Sequence, residues 1–76
     1  MHKSIKIKKE DEVIIEQKDL DIVSLLSYGF TVREISPKVQ INDRSIENRL
    51  AILKNKLNCK NTTHLCSFCI RYKLIK

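Results

Sequence analysis

The side chains whose types and spacing could do chemistry are concentrated between Arg44 and Ala51. In this stretch Ile46, Leu50, Leu53 and Leu57 fall at i, i+4, i+7 and i+11, which is one stripe of a helix running from about Asp43 to Leu57. The residues between them, Arg44, Ser45, Glu47, Asn48, Arg49 and Ala51, are therefore displayed away from that stripe. They are suited to reading base edges: Asn pairs bidentately with adenine, Arg with guanine, and Glu accepts from cytosine N4. A plain helical bundle with a solvated polar face has the same spacing, so the pattern alone leaves both readings open.

A second cluster lies near the C-terminus. Cys59, His64, Cys66 and Cys69 fall within eleven residues, and Cys66-x-x-Cys69 has zinc-ligand spacing. Positions 66 and 69 also coincide with the apolar stripe of a last helix, where free Cys behaves as a small buried hydrophobe. All four candidates crowd one helix and its entry loop, whereas a metal site wants two separated pairs. Core packing is the expectation, with no metal and no cofactor. No Gly-rich phosphate loop, nucleophile with a His base or paired carboxylates on a cleft is legible, so no enzymatic activity is expected. His2 and His64 read as incidental, and Asp19 and Asp21 as acidic residues favoured by a helix N-terminus.

The elements that must position these groups are short. With 76 residues there is one small core, burying about 60–65% of the unfolded surface. Lobed active sites, Rossmann-type domains and barrels are thereby excluded. One Gly and one Pro are too few for an all-β sandwich, which needs a turn signal every 8–12 residues or so. The expectation is an all-α, four-helix domain. Residues 1–15 form an N-terminal extended arm or a short hairpin around Glu10-Asp11, and residues 16–76 form the domain.

Along that domain the period becomes helical from Glu16 to Tyr28, with Leu20, Ile22, Val23, Leu25 and Leu26 apolar and Gly29 at a left-handed cap position. Thr31-Val32-Arg33-Glu34 is a capping box, opening a short helix with Ile35 and Val39 inside. Pro37 falls past its first turn, so this helix is expected to be kinked or weakened. Gln40-Ile41-Asn42 makes a three-residue turn, with Asn42 as the next cap. Asn58 to Asn61 breaks the chain, and Thr62 or Thr63 is the expected cap of the last helix. A short helix, a three-residue turn and a longer helix have helix-turn-helix spacing, the geometry that presents the second helix to the major groove.

Charge supports a polyanionic partner. The net charge of +6 is unevenly placed: through Tyr28 five basic residues face six acidic ones, whereas the rest carries ten against three. That is −1 followed by +7, a concentration suited to nucleic acid or an anionic surface. No apolar run approaches the roughly 18 residues of a spanning helix, and no secretory signal is seen. Three cysteines, an odd number, argue for reduced thiols, so a cytoplasmic location is expected.

The ordered residues resemble a family. Gly29-Phe30-Thr31-Val32-Arg33-Glu34-Ile35-Ser36, Val39-Gln40-Ile41-Asn42, Ser45-Ile46-Glu47-Asn48-Arg49 and Lys56-Leu57 are similar to the LuxR-type (GerE-type) DNA-binding domain, in the same order and spacing. Asp21 to Gly29 resembles the helix that precedes this motif, and Cys69 to Ile75 its closing helix, so the likeness spans about residues 15–75. The resemblance implies a third helix docked in the major groove and transcription regulation by a dimer on palindromic or repeated sites. By position it implies base contacts at Glu47, Asn48 and Ala51, phosphate contacts at Thr31, Arg33, Ser45, Arg49, Lys56 and Lys60, and a dimer surface around residues 63–72. Three departures stand out: Glu47 where the family has Lys, Glu16 where it has a Thr cap, and Pro37 in the supporting helix. Glu47 and Pro37 favour the alternative, a protein-interaction module on the same scaffold that holds RNA polymerase or another regulator.

Overall fold

The computed structural model describes residues 2–8 and 11–75, with side chains from Val13 to Ile75. Among these residues the chain forms two strands, β1 (His2–Lys8) and β2 (Asp11–Glu16), and four helices: α1 (Gln17–Ser27), α2 (Val32–Val39), α3 (Asp43–Lys56) and α4 (Thr62–Arg71). The expected four-helix domain is present. Of the two alternatives for the N-terminal segment, paired strands are the one observed. The strands run antiparallel with Lys3 opposite Ile15 and Ile5 opposite Val13. Part of the expected turn, Glu10, lies outside the described residues.

β2 belongs to the fold because Ile15 is 1% exposed, packed in the same cluster as Leu20, Ile22 and Val23 of α1. The stripe on α3 is buried as its spacing requires, with Ile46, Leu50, Leu53 and Leu57 all in the core. Ile35 is the fully buried residue of α2, and Leu65, Phe68 and Cys69 bring α4 onto the same cluster. Burying each such aliphatic side chain stabilises by about 1.5–3 kcal/mol. Leu25, Leu26, Val39 and Ile41 are half-buried at its rim.

Helix ends are set by local chemistry. At the end of α1, Gly29 takes φ 98°, its N–H bonds the Leu26 carbonyl, and the Phe30 N–H reaches Leu25, a Schellman closure. The same closure ends α3 at Asn58 and α4 at Lys73, both with positive φ. α2 also ends left-handed, at Gln40 with φ 58°.

Pro37 lies inside α2, and the expected cap of α4 is revised. α2 runs as a continuous helix through Pro37 and ends two residues later, at Val39. The N–H that Pro37 lacks would have bonded the carbonyl of Arg33, an exposed first-turn residue. The cap of α4 is Asn61, neither Thr62 nor Thr63: its side chain accepts from the His64 N–H at 2.8 Å, and Thr62 is already helical. Asn is among the strongest capping residues, which explains the choice.

Candidate nucleic-acid interface

The helix-turn-helix is built from its caps inward. Thr31 caps α2 reciprocally: its hydroxyl accepts from the Glu34 N–H at 3.2 Å, and its own N–H donates to Glu34 Oε1 at 2.9 Å. The Thr31 N–H, and after it the Thr31 hydroxyl, hold the exposed Glu34 carboxyl below its ordinary value. Val39 closes the helix, and the three-residue turn is fixed by the Ser36 hydroxyl donating to the Ile41 carbonyl at 2.6 Å. Asn42 then opens α3 by accepting from the Ser45 N–H at 2.8 Å. The Lys38 ammonium lies 4.9 Å from the centre of the Phe30 ring, tying α2 to the end of the preceding turn. With both caps made and Ile35 of α2 and Ile46 and Leu50 of α3 buried in one core, the orientation of α3 on α2 is fixed by packing and hydrogen bonds together.

This leaves one face of α3 toward solvent. Arg44, Glu47, Asn48 and Ala51 are exposed, as are Lys56 at its end and Lys60 in the following loop, while Ser45 and Arg49 are half-exposed. At the start of α2, Thr31 and Arg33 are exposed as well. Four of these positions come together: Ser45, Asn48, Arg49 and Lys56 line one shallow groove of about 410 Å³ with Ile52, Glu16 and Asp19. Arg44, Glu47 and Ala51 lie on α3 outside that lining, and Thr31, Arg33 and Lys60 sit on other segments.

Arg49 has a partner that periodicity did not disclose. Its Nη1 donates to Asp19 Oδ1 at 2.9 Å and lies 3.5 Å from Glu16 Oε2. The hydrogen bond to Asp19 pushes the guanidinium pKa up still further. Glu16 therefore does not cap α1 with its side chain but turns toward α3. A guanidinium carries five N–H donors, so engagement of Nη1 leaves those on Nε and Nη2 for another acceptor. Glu16, Asp19 and Ile52 are the groove residues that sequence reasoning missed. The available signal was an acidic i, i+3 pair at a helix start, which reads equally well as a response to the helix dipole. Among the described residues, Arg33, Arg44, Lys56 and Lys60 make no ion pair.

The cysteines behave as core material. Cys69 is buried, and burial pushes its thiol up to about 11. Cys59 and Cys66 are half-buried, each raised by the same desolvation. The Nδ1 of His64 accepts from the Lys60 N–H at 3.0 Å, so this ring closes the loop before α4. Among the described residues, no three His, Cys, Asp or Glu side chains are grouped so as to hold a metal ion. No helix there is long and apolar enough to cross a membrane.

Comparison with known proteins gives one informative likeness. The chain is 24% identical over 67 residues to the transcriptional regulatory protein LnrK of Bacillus subtilis (strain 168). That alignment covers 87% of this chain but 30% of the relative, so the chain spans less than a third of the protein it matches. No family model matches the chain, and no solved structure matches it. What it is similar to is thus part of a transcriptional regulatory protein.

Proposed function

We propose that this chain is a sequence-specific, double-stranded DNA-binding domain of the LuxR type (GerE type) that acts in transcription regulation. The observation that carries the reading is the exposed polar face of α3, set by two side-chain caps and a three-residue turn, on the part of the chain that holds the +7 charge. Likeness to a transcriptional regulatory protein supports it.

In this reading residues 16–76 are the binding unit, and β2 of the N-terminal segment lends Ile15 to its core. α3 enters the major groove with Glu47, Asn48, Ala51 and Arg44 toward base edges. Thr31, Arg33, Ser45, Lys56 and Lys60 meet phosphates, which supply most of the affinity and none of the sequence preference. Arg49 donates to a phosphate through Nη2 and Nε while Asp19 holds Nη1, so it arrives preoriented. A second copy pairs through the last helix and its C-terminal cap, where Ile70 and Tyr72 are 51% and 45% exposed. The protein works in the cytoplasm, without a cofactor, and not as an enzyme. Exposed Glu47 favours one second reading, in which the same scaffold binds polymerase or another regulator and DNA affinity is weak.

A duplex titration by fluorescence anisotropy, with a randomised pool at two salt concentrations, separates the two. The expected result is binding that weakens steeply with salt and enrichment of a two-fold symmetric site, with Asn48→Ala relaxing preference at particular base pairs. No binding even at low salt would overturn the DNA reading and leave the protein partner.

A further inference from the structure

Five large apolar side chains are conspicuously exposed among the described residues: Ile14, Tyr28, Ile52, Ile70 and Tyr72. Only Ile52 stands on α3, at 57% exposure. It is outside the hydrophobic cluster and forms part of the groove wall with Ser45, Asn48 and Lys56. Its spacing explains the company, because 45, 48, 52 and 56 recur at helical intervals along one edge of α3. A β-branched apolar group in the middle of a polar edge does nothing for the core and adds nothing to phosphate affinity. What an apolar side chain does on a major-groove face is touch the one apolar group there, the 5-methyl of thymine.

We propose that Ile52 is a specificity-determining residue that reads a thymine methyl. The inference rests on the DNA-binding reading above and adds to it the base that this edge prefers. Ile52 lies four positions after Asn48, a rise of about 6 Å along the helix. Base pairs are stacked about 3.4 Å apart, so the two side chains address pairs one or two steps from one another. With Asn48 suited to adenine and Ile52 to thymine, the edge selects a short A·T-containing step. The half-exposed Ser45 at one end of the edge and Lys56 at the other serve as phosphate contacts that set the register.

Replacing dT by dU removes the 5-methyl and leaves the Watson–Crick pairing intact. The full chain and its Ile52→Ala variant are titrated against the preferred duplex and against copies carrying a single dU at each thymine in turn. Circular dichroism establishes that the variant, altered at an exposed position, is folded. The expected result is one or two positions where dU weakens the wild-type protein about fourfold, the value of burying one methyl-sized group. At those positions Ile52→Ala binds the dT and dU duplexes equally, with an unchanged salt slope. If the protein binds its duplex but every dU substitution affects both proteins alike, the assignment of Ile52 is overturned and the DNA reading stands. If no duplex is bound at all, the DNA reading falls and this inference with it.

Discussion

Two arginines five positions apart on α3 occupy different surroundings. Arg44, in the first turn, is exposed and makes no ion pair with the described residues. Arg49, one turn and a half later, is held at 2.9 Å by Asp19 from α1, with Glu16 close by. By sequence both count equally toward the positive half of the chain. In the folded protein one is a cation presented to solvent, and the other ties α3 to the start of α1. Net charge therefore overstates the field along this edge, because two carboxylates of the acidic half are folded against it.

The largest expected effect comes from removing the packing beneath both arginines. Leu50→Ala deletes a side chain buried in the core and is expected to cost about 2–5 kcal/mol, measured by denaturant unfolding. In a domain this small that approaches the whole stability, and the distinction between the arginines should vanish with the fold. A native-like midpoint would mean that α3 is held by something other than its apolar stripe.

Arg49→Ala and Arg44→Ala test the comparison directly. Loss of Arg49 should lower stability by on the order of 0.2–1 kcal/mol, in proportion to a partly solvated ion pair. A double-mutant cycle with Asp19→Asn isolates that coupling. Arg44→Ala should leave the unfolding free energy within about 0.5 kcal/mol of wild type while weakening duplex binding. Equal stability losses from both would mean that the two arginines are held alike.

The smallest effect concerns pH. Glu34 titrates below its ordinary value of 4.5 because the Thr31 N–H and hydroxyl engage it. A depressed folded pKa gives stability that is complete above the ordinary value and is lost as the pH falls through the lowered one. Thermal midpoints of wild type should therefore fall in that acidic window, and Glu34→Gln should flatten a small part of the slope. The change touches the α2 cap and neither arginine, so a shift in the Arg49–Asp19 coupling would show that the two are linked.

How much could be read from the chain follows from how local each signal is. The α3 stripe, the capping box at Thr31 and the left-handed Gly29 are all short-range patterns, and each is found in place. The Asp19–Arg49 bond joins residues thirty apart, and no period encodes it. Ile52 lies off the stripe of Ile46, Leu50, Leu53 and Leu57, and an apolar residue type gave no reason to count it among the groups displayed to solvent. The cap of α4 escaped because Asn61, Thr62 and Thr63 are consecutive capping residues, and only backbone geometry chooses between them. Pairing of β1 with β2 was likewise open, since alternation is as compatible with a free arm as with a strand.

The burial of Cys69 has a practical consequence. A thiol reacts as its thiolate, and one raised to about 11 inside the core is almost wholly protonated at neutral pH. Alkylation at this sulfur thus waits for α4 to leave the core, whereas Cys59 and Cys66, half-buried, sit nearer the reagent. The molecule carries its own clock: the labelling rate at one cysteine counts openings of the domain, with the other two as its internal reference.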